Sequence, residues 1–269
     1  MNIEDYETLR VRVDDGVVFA TIDHPPINLF DAALIVEMDR LGRELEADPD
    51  VRVVVLDSAN PDFFIAHADV GLILQLPSEP QDPPTELPLF SAMVERFRTM
   101  PKVSIAVLEG RTRGGGSELV LGMDMRFAAR GRARLAQPEV ALGIIPGGGG
   151  TQRLPRLVGR ARALEIVLGC NDIDADTAER WGYVNRALDD GELRPFVEAL
   201  ARRIASFPPE AVAHAKAAVT AAEPDPVPGL LEEADRFNQT LALPDTRARM
   251  EDFLAAGGQT RDVELELDL

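Results

Sequence analysis

The sequence is poor in cysteine and in basic side chains, and it has no long apolar run. Cys170 is the only cysteine among 269 residues, which excludes an internal disulfide and a multi-cysteine metal site. A reducing, cytoplasmic compartment is therefore expected. No uninterrupted stretch of about 18 apolar residues occurs, so no segment predicts a membrane-spanning helix.

The scarcity of basic residues limits the partners that the chain can attract. Acidic side chains outnumber basic ones by 46 to 28, and the formal net charge is −18. This charge excludes long-range attraction to nucleic acid or to an anionic membrane. Residues 1–7 are acidic and lack the apolar stretch of a secretory signal, so no export is expected.

The composition predicts an ordinary globular protein. Hydrophobic residues make up 45% and charged residues 28% of the chain. The length exceeds the usual ~100–200 residues per domain, which indicates one large domain or one domain with an appendage.

Hydrophobic periodicity in the first two thirds predicts an α/β core over residues 1–193. Leu9 to Val13 alternates, Asp14-Asp15-Gly16 marks a turn, and Val17 to Ile22 continues as a second strand, which predicts a hairpin. Asp31 is a candidate N-cap for a helix that ends near Ala47. The apolar runs Val51 to Leu56 and Val103 to Leu108 predict strands covered on both faces. Helix-length segments between them favour a mainly parallel sheet.

The last third has a different pattern. Four candidate helices, separated by proline, follow at about 193–206, 208–222, 228–242 and 244–255. Residues 194–256 therefore predict a helical region whose apolar faces pack on the core or on another subunit. The acidic tail 257–269 is either a frayed end or an edge strand.

Two glycine-rich segments each carry a glutamate. Gly114 to Gly116 precede Glu118, and Glu139 follows Gln137-Pro138 before the run of four glycines at 147–150. Glycines allow close backbone approach to a ligand, and a helix opening at Gly116 would present free N–H groups to an anion. Taken singly, each acid is also explained as a first-turn residue that interacts favourably with the helix dipole.

Segments 114–119 and 137–154 closely resemble the two signature segments of the crotonase superfamily, the enoyl-CoA hydratase/isomerase group. The segments around Asp23-His24-Pro25 and from Phe63 to Val70 follow in the family's order, as does the helical last third. The resemblance implies an α/β fold of crotonase type, a spiral of ββα turns with a helical C-terminal trimerisation region. A homotrimer or a dimer of trimers is therefore expected.

The resemblance also implies roles for particular residues. Glu118 and Glu139 match the catalytic pair of the family's hydratases, with Glu139 exchanging the α-proton and Glu118 activating water. The backbone N–H groups of Ala68 and Gly115 match the oxyanion hole. The remaining implied substrate-binding positions are Ala66, His67, Val70, Gly147, Arg111 and Arg113.

Some of these positions depart from the family's pattern. His67 stands where relatives commonly carry glycine, and it could orient the loop, line the pocket or face solvent. Arg111 and Arg113 replace small or apolar residues, and they could meet a substrate anion or pair with the chain's own acids. Gly71 occupies the position of a lysine that often contacts phosphate.

The expected activity is a lyase reaction, the reversible syn hydration of a 2-enoyl-CoA to a 3-hydroxyacyl-CoA. Two alternatives remain open: a double-bond isomerase that uses one general base, and a catalytically weak acyl-CoA-binding or scaffold member of the family. CoA is part of the substrate, and neither a cofactor nor a metal is expected.

Overall fold

The computed structural model describes residues 5–267, which form ten strands and twelve α-helices. The strands are β1 (Leu9–Asp14), β2 (Val17–Ile22), β3 (Val53–Ser58), β4 (Phe63–Ile65), β5 (Val103–Leu108), β6 (Arg111–Arg113), β7 (Met125–Ala129), β8 (Arg134–Ala136), β9 (Ile173–Asp174) and β10 (Arg186–Leu188). The helices are α1 (Ala32–Ala47), α2 (Val70–Ile73), α3 (Leu89–Thr99), α4 (Gly115–Gly122), α5 (Gly150–Val158), α6 (Arg160–Gly169), α7 (Ala175–Trp181), α8 (Leu193–Ala205), α9 (Pro209–Thr220), α10 (Val227–Leu241), α11 (Pro244–Ala255) and α12 (Arg261–Glu266). A short 3-10 helix spans Glu139–Leu142.

The strands form two sheets. The larger sheet has the order β1-β2-β3-β5-β7-β10, and the smaller has the order β4-β6-β8-β9. Of the strand pairings within residues 5–267, the first hairpin and the β8–β9 pair are antiparallel, and the others are parallel. The sequence-based prediction of a mainly parallel sheet entered by a hairpin is confirmed.

Strand β3 shows why the larger sheet is buried on both faces. Val54 and Leu56 belong to the main core beneath α1 and α4, whereas Val53 and Val55 belong to a second apolar cluster against α8. Because side chains alternate between faces along a strand, such a run must be apolar throughout. Each fully buried valine or leucine stabilises the fold by roughly 1.5–3 kcal/mol.

Local signals fix the first helix. Asp31 is the N-cap of α1, and its side chain accepts a hydrogen bond from the Leu34 N–H at 3.0 Å. The buried side chains of this helix lie at i, i+4, i+7 and i+11, as an amphipathic helix requires: Leu34, Met38, Leu41 and Leu45. The predicted N-cap and end are confirmed.

The chain becomes helical after residue 193, as the proline-separated pattern predicts. The prediction for residues 257–269, a frayed end or an edge strand, is wrong for the part that the structure describes. Residues 261–266 form α12, which carries the fully buried Glu264. Tertiary contacts of this side chain override the alternating pattern that favoured a strand.

None of the helices within residues 5–267 combines the length and the apolarity needed to cross a bilayer.

Candidate active site

Three short parallel strands bring the distant sequence motifs to one edge of the smaller sheet. β4 pairs with β6, and β6 pairs with β8, both in parallel. The carboxyl ends of parallel strands lie on the same side of a sheet, where open α/β sheets bind ligands. Residues 66–68, 114–118 and 137–139 follow these three strands directly. The fold therefore gathers both glycine-rich segments and the loop after β4.

Glu118 lies on α4, which begins at Gly115, one residue earlier than the sequence predicts. The side chain is only 4% exposed. Its Oε1 accepts hydrogen bonds from the N–H groups of Gly148 and Gly150 at 2.7 and 2.9 Å. Within residues 5–267, no hydrogen bond to Oε2 is formed, and this carboxyl borders a cavity. One oxygen is therefore anchored and the other is available to a ligand.

Glu139 is the first residue of the 3-10 helix that follows Pro138. The Gln137 amide, turned so that its nitrogen faces the carboxyl group, donates to Oε1 and Oε2 at 3.3 and 3.1 Å. In the same orientation its oxygen accepts from Ser117 Oγ at 3.1 Å. The Ser117 hydroxyl contacts Tyr183 Oη at 2.5 Å. This buried chain of hydrogen bonds orients Glu139 from the interior.

The two carboxyl groups have unequal electrostatic surroundings. Burial raises the pKa of Glu118, but the Gly150 and Gly148 N–H groups and Arg153 act in the opposite direction. Burial and the charge of Glu118 raise the pKa of Glu139 well above its usual range. Like charges in one site resist double ionisation. The arrangement therefore favours a proton on Glu139 rather than on Glu118.

Two backbone N–H groups border the same space. Ala68 forms a parallel bridge with Phe30, in which the flanking residues, His67 and Asp69, make the hydrogen bonds to Phe30. The Ala68 N–H consequently points away from Phe30. Gly115 opens α4, so its N–H has no acceptor within the helix. A Cβ built on Gly115 would lie 3.7 Å from the Ala68 nitrogen, which shows how closely the two segments approach.

Gly114 joins β6 to α4 in a conformation that favours glycine. Its φ of 50° lies in the left-handed region, and a Cβ here would stand 2.8 Å from Glu139 Oε1. Both the backbone geometry and the close approach of the carboxyl group therefore require the missing side chain.

The cavity at this edge has a volume of about 360 Å³. Its polar end is bordered by Ala68, Gly115, Glu118, Glu139, Gly147 and Gly148. Its remaining wall is mainly apolar and includes Leu72, Ile73, Leu89, Phe90, Ile144 and Phe237. An acyl chain can lie along the apolar wall while its polar head meets the two acids and the two N–H groups.

Residues 12–256 match the sequence model of the family described as enoyl-CoA hydratase/isomerase. The chain belongs to this family. A short-chain-enoyl-CoA hydratase of Clostridium acetobutylicum is 33% identical over 244 residues, covering 88% of this chain and 91% of that protein. A crotonyl-CoA hydratase of Syntrophomonas wolfei is 33% identical over 255 residues, covering 93% and 95%.

The comparison with solved structures agrees with the family's crotonase-type fold. The crystal structure of a candidate enoyl-CoA hydratase from Streptomyces avermitilis is 41% identical and has a TM-score of 0.89, over 96% of this chain and 95% of that chain. An enoyl-CoA hydratase from Mycobacterium avium subsp. paratuberculosis is 25% identical with a TM-score of 0.81, over 91% and 98%.

In this family member a third carboxyl group lies beside the pair, that of Glu233 on α10. Glu233 is 1% exposed, and its carboxyl oxygens accept hydrogen bonds from the N–H groups of Gly149 and Thr151 at 2.6 and 2.9 Å. Consecutive N–H groups of the glycine loop thus alternate between Glu118 and Glu233. Burial and the charge of Glu118 raise the pKa of Glu233 to about 8.

Sequence reasoning missed Glu233 and assigned no role to Gln137. The only local signal for Glu233 is an acid on the apolar side of a predicted amphipathic helix, which marks a buried group in need of partners. Gln137 lies within the quoted signature segment, but its orientation toward Glu139 depends on tertiary packing.

The structure separates the other predicted binding residues from one another. His67 and Val70 line a second cavity of about 30 Å³, which also borders Ala68 and Glu139. Ala66 is completely buried in an apolar cluster with Ile27 and Phe63. Gly147 lies on the main cavity.

The two predicted arginine contacts lie off the main cavity, because the chain itself occupies both guanidinium groups. Arg113 is 3% exposed and donates to both oxygens of Asp172. Arg111 donates to the Leu265 carbonyl oxygen. The sequence left two partners open for these arginines, a substrate anion or an acid of the chain itself. Arg113 pairs with an acid of the chain, Asp172.

Within residues 5–267, no cluster of three or more His, Cys, Asp or Glu side chains could hold a metal ion. Cys170 is a buried thiol whose pKa is raised by burial, and it lies at the end of α6.

Arg153 donates to the Gly148 carbonyl oxygen at 3.1 Å and so supports the glycine loop.

Proposed function

We propose that this protein is a lyase that adds water, reversibly and to one face, across the double bond of a 2-enoyl-CoA thioester. The product is a 3-hydroxyacyl-CoA. The observation that carries the proposal is that Glu118, Glu139, Ala68 and Gly115 all border one mainly apolar cavity. The names of the enoyl-CoA and crotonyl-CoA hydratase relatives support the same substrate class.

In the proposed reaction, the thioester oxygen lies between the N–H groups of Ala68 and Gly115. As water attacks the β-carbon, the electron pair of the double bond moves toward the thioester, and negative charge grows on this oxygen. Two aligned N–H donors stabilise that charge, and removal of one such donor typically costs roughly 3–4 kcal/mol of barrier.

The two acids share one water molecule in this proposal. Glu118 removes a proton from the water, and the resulting hydroxide forms the bond to the β-carbon. Glu139 delivers its proton to the α-carbon on the same face. Proton exchange between the pair and the next water restores the resting state, so that atoms and charge balance over the cycle.

The division of roles follows from the surroundings of each carboxyl group. The N–H groups of Gly148 and Gly150 stabilise the ionised form of Glu118, as a base requires. The charge of Glu118 and burial favour the protonated form of Glu139, as an acid requires. No cofactor is needed for this chemistry, because CoA leaves as part of the product.

We further propose that the chain works as a homotrimer or a dimer of trimers, the assembly that the family resemblance implies. Exposed apolar side chains on the helices, including Leu168 at 62% and Val219 at 74%, are surfaces that association would cover. Light scattering of the purified protein measures the assembly directly, and a monomer at micromolar concentration would contradict it.

The reaction is tested by giving the purified enzyme a short 2-enoyl-CoA and, separately, the matching 3-enoyl-CoA. We expect 3-hydroxyacyl-CoA from the first substrate. Double-bond migration without water addition would identify an isomerase instead. If neither substrate reacts, while acyl-CoA still binds, the protein is a binding or scaffold member of the family.

A further inference from the structure

The C-terminal helix α12 carries one carboxylate into the interior, next to the loop that holds Ala68. Glu264 is 0% exposed. Its Oε1 lies 3.0 Å from His67 Nε2 and accepts from the Gln259 N–H at 3.0 Å. Its Oε2 lies 3.5 Å from Arg113 Nη1. Oε1 thus connects the end of the chain to the loop that holds Ala68, whereas Oε2 is buried without a hydrogen bond within residues 5–267.

The His67 ring stands between two hydrogen-bond acceptors. Nδ1 lies 2.7 Å from the Ala68 carbonyl oxygen, and Nε2 faces Glu264. Each ring nitrogen thus faces an oxygen acceptor, and a neutral imidazole has only one N–H to donate to them. Although burial raises the pKa of Glu264, the hydrogen bond and charge of His67 hold it below the usual range. The His67 side chain therefore bridges Glu264 to Ala68.

Arg113 makes the corresponding connection to the second N–H donor. It is the last residue of β6, two positions before Gly115. Its Nη1 donates to the Glu264 backbone oxygen at 3.0 Å, while Nε and Nη2 donate to Asp172 at 2.8 and 2.7 Å. Arg113 thus links the buried Glu264 of α12 to Asp172, which lies at the surface.

We propose that Glu264 is a positioning residue that holds the backbone donors Ala68 and Gly115 in register through His67 and Arg113. This inference rests on the proposed function, because it assigns these N–H groups to the thioester oxygen. Glu264 does not touch the substrate. Its effect arises because a displacement of about 1 Å in a reacting geometry can cost 10²-fold in rate.

The test compares Glu264→Gln with Glu266→Gln, the same chemical change two residues further along α12 on an exposed side chain. We expect Glu264→Gln to lower kcat by about tenfold to a hundredfold, with KM changed less than about threefold. Glu266→Gln should leave both constants unchanged. A second variant, His67→Gln, removes the bridge from the loop itself and should produce a similar loss.

A spectroscopic readout separates positioning from stability. The carbonyl stretch of a bound, ¹³C-labelled acyl-CoA shifts to lower frequency when N–H donors polarise the thioester. We expect this shift to shrink in Glu264→Gln and in His67→Gln, and to stay in Glu266→Gln. The double variant Glu264→Gln/His67→Gln should lose little more activity than either single variant, because both changes break one connection.

Unchanged kcat and carbonyl shift in folded Glu264→Gln and His67→Gln, with active wild-type enzyme, would overturn this inference alone. A lower melting temperature with an unchanged carbonyl shift would also overturn it, because the network would then be merely structural. If Glu264→Gln does not fold, His67→Gln decides by the same two measurements. A wild-type enzyme without activity on any enoyl-CoA would instead contradict the proposed function.

Discussion

The α/β core and the helical last third contribute different kinds of groups to the site. The core supplies Glu118 and Glu139 from glycine-rich segments that the sequence displays openly. The helical part supplies Glu233 and Glu264, two buried acids that bind backbone N–H groups or side chains around the pair. The acids that we propose to react thus carry a local sequence signature, whereas the acids that support them are single residues on ordinary helices.

The physical reason for this difference lies in the backbone. A carboxyl group that must share a small space with backbone N–H donors needs glycines nearby, as the close approach of Gly114 to Glu139 shows. A supporting carboxylate approaches from outside that space and needs only a helix of the right length. We therefore expect substitutions of the core acids to lower activity most and substitutions of the buried helical acids to lower it less. Substitutions of neighbouring exposed acids should change activity little.

The largest effect is expected from Glu139→Gln. The amide keeps the shape of the carboxyl group but cannot deliver a proton to the α-carbon, so kcat for hydration should fall by about 10²–10⁴-fold. Steady-state hydration rates measure this loss, and retained acyl-CoA binding serves as the control. A loss below tenfold would show that Glu139 is not the acid.

Gly114→Ala should come next. The new methyl group meets Glu139 Oε1 and forces a non-glycine residue to φ of 50°, so both the acid and its loop must shift. We expect about 10²-fold loss of kcat, and destabilisation by roughly 1–3 kcal/mol in urea unfolding.

Gly131→Ala is the matched control, because its φ is 77° and a Cβ there meets nothing within 4 Å. Gly131→Ala therefore imposes a similar backbone strain, but its new methyl group touches no carboxyl group. Equal losses of activity in both variants would assign the effect of Gly114→Ala to strain alone.

Glu233→Gln tests the helical part at the glycine loop. The amide oxygen can replace only part of the set of hydrogen bonds from Gly149 and Thr151, so the loop that anchors Glu118 should loosen. We expect kcat to fall about tenfold. Glu232→Gln, one residue earlier and exposed, should behave as wild type. Indistinguishable rates for the two variants would show that Glu233 does not support the loop that anchors Glu118.

The effect expected on stability is a pH dependence. The pKa of Glu233 rises from an ordinary value of 4.5 to about 8 in the folded state. Between these values the folded chain holds more protons than the unfolded chain, so the free energy of unfolding falls as pH rises. The contribution of Glu233 is full below about 4.5 and is lost as pH rises through about 8.

Glu233→Gln removes this contribution. The stability of wild type relative to the variant should therefore decline by at most about 1.4 kcal/mol per pH unit across that window. Urea unfolding of both proteins between pH 5 and pH 8 measures the decline. A constant difference would show that Glu233 does not titrate in this range.

Much of the fold was predictable from the sequence, because the relevant signals are local. Asp31 marks the start of α1, and the apolar runs mark β3 and β5 with shifts of no more than two residues. The strands β4, β6 and β8, which gather the site, contain three residues each. Runs this short show no usable periodicity, so their parallel pairing could not be predicted.

The site was predictable only in part for a related reason. The family resemblance predicts the residues that border the main cavity, including Glu118, Glu139, Ala68 and Gly115. The helix at residues 261–266 was not predicted, because the contacts of Glu264 with His67 and Arg113 form only in the folded chain. Contacts across 197 residues leave no trace in a local pattern.

Hydration of a short 2-enoyl-CoA in heavy water, with the product analysed by NMR, reveals the face on which each new group is added. If Glu118 and Glu139 act on one water above a thioester held by two N–H groups, the new hydroxyl and the new deuterium must lie on the same face. We expect a single syn-labelled 3-hydroxyacyl-CoA from the wild-type enzyme. An anti product, or deuterium at the α-carbon without any added hydroxyl, would contradict it.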